Sequence, residues 1–170
     1  MTCNSFAAEQ PPHQALNANF PKLINAFEHL DLNTIEQIYS DDAVYISETQ
    51  DRGIINGKKD ILNLYNRFFN KIKRKHARLE VDFRVLIRHV GSNSATDIGY
   101  YLVRFHPGDE SGEPVSEFAG KFVTVFTKDT KGHWAISVDS NTHAAAHFYY
   151  DAKPVPNLYY GRQFITNTKE

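Results

Sequence analysis

The sequence lacks several features that would place it in a special class of proteins. It has one cysteine, Cys3, in 170 residues, so no intrachain disulfide can form and the redox compartment is left open. No apolar run approaches the roughly 20 residues that cross a bilayer, so we expect no contact with a membrane. The formal net charge of −1 provides no overall field that would gather nucleic acid or favour an anionic surface. Any ligand must therefore be recognised locally.

Catalytic motifs are missing as well. The sequence contains no glycine-rich phosphate loop, nucleophile elbow or Cys–His pair, which argues against nucleotide-dependent hydride transfer and acyl-enzyme chemistry. We expect no cofactor. Asp139, His143 and His147 are spaced by four, as zinc ligands on a helix would be, but Asp139 falls in a predicted strand, so we expect no metal. Residues 71–78 form the one basic run, which we interpret as solvated cations at a helix end rather than a nucleic-acid surface.

The composition is that of an ordinary globular domain, with 41% hydrophobic and 23% charged residues. We predict a flexible segment at 1–12, one α+β domain at 13–147 and a C-terminal tail at 148–170. The tail contains five large side chains that we expect to pack on its own sheet or on a partner subunit: Tyr149, Tyr150, Leu158, Tyr159 and Tyr160. Residues 1–8 have the small side chains that precede a signal-peptide cleavage site but not the regions before them. We therefore expect a cytoplasmic protein, with export as the alternative.

Helical periodicity comes first along the chain. Apolar residues recur at helical spacing from Leu16 to Leu30, with a kink or restart expected at Pro21. Asn33 and Glu36 resemble a capping box that opens a second helix, which carries Ile35, Ile38 and Tyr39 toward the core. A third amphipathic helix follows from Ile61 to Ile72. Three helices are thus predicted before residue 77.

Strand periodicity follows. A strand with one exposed face is predicted by the alternation of apolar with charged residues: Leu79, Val81, Phe83, Val85 and Ile87 against Glu80, Asp82, Arg84 and Arg88. Turn residues then separate three further strands, at about 95–106, 115–128 and 134–141. Helices followed by a meander of long strands indicate an α+β fold. Because long strands twist and curl, we expect three N-terminal helices to cover the hollow face of a strongly curved, mostly antiparallel sheet.

Three stretches carry a resemblance to a known group of proteins: AFEHLDLNTIEQIYSDDAVYIS, GIINGKKDILNLYNRFF and GKFVTVFTKDTKGHWAISVDSNT. Over about residues 15–143 the chain resembles the nuclear transport factor 2-like superfamily, in its SnoaL-like and ketosteroid isomerase-like branch. The resemblance implies an open cone, frequently dimeric, that hosts isomerases, cyclases, dehydratases, hydrolases and binding proteins. We therefore expect a homodimer, formed through the outer face of the sheet. Fold alone does not identify the chemistry.

The resemblance disfavours steroid isomerisation itself. An ungapped alignment places the tyrosine of that family at Leu23 and its base at Ser47, and neither side chain can replace the original. Glu48 is next to Ser47 and would serve as a base if the strand slips by one residue. The kinase association domain of the same superfamily has pocket arginines that map to Thr124 and Asn141, neither of which carries charge. The histidine of many SnoaL-like sequences maps to Ser140.

The last strand carries the best polar pair. Asp139 and Asn141 share one face because side chains alternate along a strand. A ligand site and a purely structural polar pair at the end of the cone remain equally open. Tyr45, Tyr65, Tyr101, Phe122 and Phe126 are candidates for apolar walls, of which we expect two to reach a cavity. Arg104 is predicted to lie on the opposite face from Tyr101.

Two functions are the main candidates, and a scaffolding role, which would need an interior filled with side chains, is the third alternative. The first is a small-molecule binding domain for a hydrophobic or mixed-polarity organic molecule, with Tyr45, Tyr65, Tyr101, Phe122, Thr124 and Asn141 as ligand-binding residues. The alternative is a cofactor-free isomerase, cyclase or dehydratase in which Asp139 or Glu48 is the general base. Burial would raise the pKa of such a carboxyl group, and a carboxylate that points into a cavity would favour the enzyme.

Overall fold

Among the residues that the structure describes, four helices form before residue 77, where the sequence predicted three. A computed structural model describes residues 12–49 and 51–165 and contains α1 (Pro12–Asn17), α2 (Asn19–His29), α3 (Leu32–Ile38) and α4 (Lys58–Arg74). The predicted helix restarts close to Pro21, which was one of the two alternatives, and the break falls at Ala18. Pro21 lies in the first turn of α2, where the missing backbone N–H removes no intrahelical hydrogen bond.

The start of α3 also differs from the prediction. Asp31, not Asn33, is the N-cap residue. Its Oδ1 accepts hydrogen bonds from the backbone N–H groups of Asn33 and Thr34, at 2.9 and 3.4 Å, which satisfies two of the free donors at the helix start. The Thr34 hydroxyl donates to the other carboxylate oxygen of Asp31 at 2.6 Å. The helix cap therefore lies two residues before the predicted position.

In the described part of the chain, six strands form one curved sheet that the helices cover on one side. They are β1 (Tyr39–Ile46), β2 (Ile55–Asn56), β3 (Arg78–Val90), β4 (Ser94–His106), β5 (Ser116–Lys128) and β6 (Trp134–Ala144), in the order β2-β1-β6-β5-β4-β3. All neighbours are antiparallel except β1 and β6, which run parallel. The predicted α+β class and the mostly antiparallel sheet are confirmed. The parallel pairing of β1 with β6 was not predicted.

A bulge in β3 reverses part of its predicted alternation. Val85 lies opposite Gly99 and Ile87 opposite Ile98, so Leu86 has no partner across the ladder. An extra residue of this kind bends the strand and turns later side chains to the other face. Ile87, predicted to face the core, is 47% exposed. Arg88, predicted to be exposed, is fully buried and binds both carboxylate oxygens of Asp97 at 2.6 Å.

The outer face of β3 is covered, although the sequence predicted that it would face solvent. The chain after β6 forms α5 (Ala146–Asp151), which crosses the predicted boundary at 147/148. Tyr149 and Phe164 are buried in a cluster with Leu102 and Ala119 on this face. The carboxylate of Asp82 accepts hydrogen bonds from the Tyr149 hydroxyl at 2.7 Å and from the Gln163 backbone N–H at 3.0 Å. The tail packs on its own sheet.

The tail also wraps around the edge of β3. The guanidinium of Arg84 lies 4.1 and 4.5 Å from the ring centroids of Tyr149 and Tyr160, on the outer face. On the inner side, the ring of Tyr159 stacks on Phe20 with centroids 4.9 Å apart. Between them the Val85 N–H donates to the Tyr159 carbonyl at 2.9 Å. No helix in the described part of the chain combines the length and apolarity needed to cross a bilayer.

Candidate functional site

A cavity of about 410 Å³ lies between α2, α4 and the inner face of the sheet. Its walls are mainly apolar, with Phe20, Leu23 and Phe27 from α2 and with Val81 and Val103 from the sheet. The structure brings all eight predicted site residues to this cavity: Tyr45, Glu48, Tyr65, Tyr101, Phe122, Thr124, Asp139 and Asn141. Four of the five candidate aromatic walls reach it, where two were expected. Phe126 is fully buried and does not line it.

Strand register explains why the polar side chains meet. Asp139 lies opposite Thr124, and Asn141 lies opposite Phe122, across the β5–β6 ladder. Because residues two apart on a strand share a face, Asp139 and Asn141 both point inward. Tyr45 lies next to Asp139 on the other side, across the parallel β1–β6 pair. Three strands therefore supply one polar patch in an otherwise apolar wall.

Asp139 is the centre of this patch. One carboxylate oxygen accepts from the Tyr39 hydroxyl at 2.6 Å, and the other accepts from the Asn141 amide at 3.2 Å. The Thr124 hydroxyl is a third partner. Burial raises the pKa of the Asp139 carboxyl in spite of these hydrogen bonds, which act in the opposite direction. A carboxylate has about four lone-pair positions, so one stays available to a molecule in the cavity.

Tyr39 is part of the site although the sequence placed it only in the core. Its side chain is 1% exposed and its hydroxyl lies 3.1 Å from that of Tyr65. A phenol has a single proton, and Tyr39 donates it to Asp139, so Tyr65 donates to Tyr39. The result is a hydrogen-bonded chain from Tyr65 through Tyr39 to the carboxylate. No pattern in the sequence indicates this contact, because it depends on the parallel pairing of β1 with β6.

The phenols of the cavity stay protonated at neutral pH. Burial raises the pKa of Tyr45, Tyr65 and Tyr101, and the negative charge of Asp139 acts in the same direction. They are therefore hydrogen-bonding groups rather than bases. Gly120 gives Tyr101 its space, since a Cβ at residue 120 would lie 2.3 Å from the phenol oxygen.

The opening of the cavity carries charge. Glu48 follows the end of β1, is partly buried and lines the cavity. Arg52, Arg67 and Lys71 line it too but are exposed, which places them at the opening. Sequence reasoning did not single out Arg52 or Arg67, and it treated Lys71 as a solvated cation only. Arg67 and Lys71 are four apart on α4, a spacing that puts them on one helix face.

Other predicted positions fall as follows. Leu23 and Ser47, where the steroid isomerase residues map, both line the cavity. Arg104 lies outside the cavity and donates to Glu117 at 2.9 Å. Within residues 12–49 and 51–165, no three His, Cys, Asp or Glu side chains are grouped to hold a metal ion. His143 and His147 are exposed, while Asp139 is buried. Cys3 and residues 1–8 lie outside the described residues.

Comparison with known proteins identifies the fold. Neither the models of protein families nor the curated proteins gave a match to the sequence. Solved structures do match. A ketosteroid isomerase-like protein from Erwinia carotovora is 13% identical, with 80% of this chain and 98% of that protein covered at a TM-score of 0.63. A nuclear transport factor 2-like protein from Salmonella enterica is 17% identical, with 78% of this chain and 91% of that protein covered at a TM-score of 0.60.

The fold is that of the nuclear transport factor 2-like superfamily. ActVI-ORFA from Streptomyces coelicolor has the same architecture, with 11% identity, a TM-score of 0.65, and 77% of this chain and 96% of that protein covered. The predicted resemblance is thereby confirmed at the level of fold. Sequence identities this low carry no residue roles from one protein to another.

Proposed function

We propose that the chain binds a small organic molecule in the cavity, with the apolar part against the aromatic walls and a polar group at Asp139 and Asn141. The observation that carries this proposal is an apolar cavity of about 410 Å³ with one concentrated polar patch. Ligand pockets generally have about 300–1,000 Å³, apolar walls and a few polar groups that orient the ligand. The fold favours the same function, because the ketosteroid isomerase-like neighbour has the same architecture.

A neutral fluorescent probe tests binding. N-phenyl-1-naphthylamine is apolar, contains one N–H donor and emits strongly only when removed from water. Val103 lines the cavity, so Val103→Trp fills space that the probe needs, while Val115→Trp makes the same change at a side chain that is 53% exposed. We expect saturable binding to the native chain and to Val115→Trp, and a loss of at least about tenfold in affinity in Val103→Trp.

Equal affinity of the two tryptophan variants would contradict the proposal, provided that circular dichroism shows both to be folded. Leu64→Trp makes a second approach to the same cavity, from α4. It keeps the test decisive if Val103→Trp does not fold.

A second candidate function is cofactor-free proton transfer with Asp139 as general base. Two observations favour it: Asp139 is 9% exposed at the cavity wall, and burial raises the pKa of its carboxyl. A desolvated carboxylate is a stronger base toward a carbon acid than one in water, and a pKa nearer neutrality is better matched to proton transfer. The neutral phenol of Tyr101 would then stabilise negative charge that develops on the substrate.

The benzisoxazole elimination tests this second function without knowledge of the natural substrate. In 5-nitrobenzisoxazole the base removes the proton at C3, the C–H electron pair forms the third bond of a nitrile, and the N–O bond breaks with its electron pair remaining on the phenolate oxygen. We expect a rate above buffer that falls by about 10²-fold in Asp139→Asn. Glu48→Gln is the matched change at the other cavity carboxylate. A rate that survives both substitutions would rule out carboxylate catalysis in this cavity.

A further inference from the structure

The two ends of the cavity differ in charge. The inner patch contains the Asp139 carboxylate and groups bound to it. The opening is bordered by three cations, Arg52, Arg67 and Lys71, none of which has a hydrogen-bonded or ion-paired side-chain partner among the residues that the structure describes. Some cations elsewhere are paired, such as Lys58 with Asp41, Arg78 with Glu80, and Arg104 with Glu117.

Glu48 is the only anion besides Asp139 among the described residues that line the cavity. Its charge acts on the inner groups, where it contributes to the raised pKa of Tyr101 and Asp139. The three cations therefore outnumber the single carboxylate near the opening.

The apolar walls lie between these two ends. Phe27 and Leu64 line the same cavity as the cations, as does Phe68, which is one residue after Arg67 on α4. A ligand that fills the apolar part from the inner patch outward brings its far end to the cations. An uncharged ligand would leave these cations unused, whereas an anionic group there would gain charge-assisted hydrogen bonds.

We propose that the ligand is an amphipathic acid: an apolar molecule whose anionic group is bound at the opening by Arg52, Arg67 and Lys71. The inference rests on the proposed binding function and specifies the chemical class of the ligand. Carboxylate, sulfonate and phosphate share the chemistry that the cations recognise. The polar group at the other end of the ligand is a hydrogen-bond donor, because the Asp139 carboxylate can only accept when it is ionised.

A matched pair of probes tests the anionic group directly. 8-Anilino-1-naphthalenesulfonate has the ring system of N-phenyl-1-naphthylamine plus one sulfonate. We expect it to bind about tenfold more tightly than the neutral probe in low salt, the order of magnitude for two or three exposed ionic contacts. The preference should shrink at high ionic strength, because exposed charges are screened.

Two triple variants separate the opening from the general surface. Arg52→Gln, Arg67→Gln and Lys71→Gln together should abolish the preference for the sulfonate, measured as the ratio of the affinities for the two probes in the same variant. Lys59→Gln, Lys73→Gln and Arg74→Gln remove the same number of exposed cations outside the cavity lining, on α4, and should leave the preference intact.

The outcomes distinguish this inference from the proposed function. Equal binding of the two probes, or an equal effect of the two triple variants, overturns the anionic subsite while cavity binding stands. Failure of both probes to bind, or binding that Val103→Trp and Leu64→Trp do not weaken, overturns cavity binding and the anionic subsite together.

Discussion

Asp139 combines two opposing influences on one side chain. Three hydrogen-bond partners stabilise the carboxylate, while burial favours the neutral carboxyl and prevails, so the pKa is raised. The folded state therefore retains a proton that the unfolded chain has already lost. Below the unfolded pKa both states are protonated and the group has no effect on stability. As pH rises through the folded pKa, the folded state has to hold a buried charge and loses stability.

This behaviour predicts how Asp139→Asn changes the pH dependence of folding. The variant cannot ionise, so the free energy of unfolding of Asp139→Asn relative to the native chain should increase between pH 4.5 and pH 7.5. Urea unfolding at several pH values measures the difference. A difference that is constant with pH, or that falls as pH rises, would show that burial does not dominate at Asp139.

Asp129 provides a control with the opposite sign. Hydrogen bonds from the backbone N–H groups of His133 and Lys131 lower the pKa of this exposed carboxyl. Its ionised form therefore stabilises the fold at neutral pH, and that contribution is lost as pH falls through the folded pKa. Asp129→Asn should become less stable than the native chain as pH rises. Opposite trends in the two variants would exclude a general effect of charge removal.

The elements of the fold were predictable where the relevant pattern is local. Alternation along β6 is enough to place Asp139 and Asn141 on one face, and it requires no knowledge of which strands are neighbours. Periods of 3.6 and 2 likewise located α4 and the four long strands. Strand order was not predictable, because the parallel pairing of β1 with β6 joins segments about 95 residues apart in the chain. Tyr39 was missed for that reason.

The errors within elements also have physical causes. Leucine is an ordinary residue in a strand, so nothing in the local sequence indicates that Leu86 has no partner on β4. The inward turn of Arg88, which follows from this bulge, is equally hidden. Asp82 and Arg84 are of residue types that are normally exposed to solvent. They are buried because the tail supplies aromatic rings and hydrogen-bond donors to them. Sequence periodicity reports which face a side chain occupies but not what covers that face.

For the molecule as a whole, the tail joins the outer face of the sheet to the core beneath the cavity. Tyr149 binds Asp82 on the outer face, and Tyr159 supports Phe20, which lines the cavity. Other parts of the outer face stay open, including Ile46 and Val123, each 38% exposed. They lie where we predicted a homodimer contact. Light scattering on the native chain will measure its oligomeric state.

Gly161 is the point at which the tail approaches β3 most closely. Its N–H donates to the Phe83 carbonyl at 2.9 Å, and a Cβ at residue 161 would lie 1.6 Å from a carboxylate oxygen of Asp82. That carboxylate cannot move away freely, because the Tyr149 hydroxyl and two backbone N–H groups hold it. Gly161→Ala should therefore separate the tail from the sheet locally, at a cost of about 1–3 kcal/mol.

Thermal unfolding measures this effect, and Gly53→Ala is the matched control because nothing lies within 4 Å of a Cβ there. We expect Gly161→Ala to lower Tm by several degrees and Gly53→Ala to leave it nearly unchanged. Removal of residues 148–170 should lower Tm further, since it uncovers Leu102 and Ala119, which the tail buries. A truncated chain with an undiminished Tm would mean that the tail contributes nothing to the fold.

The tail also supports the cavity wall, because the ring of Tyr159 packs behind Phe20. We therefore expect Gly161→Ala, which displaces the tail, to weaken binding of the neutral probe as well.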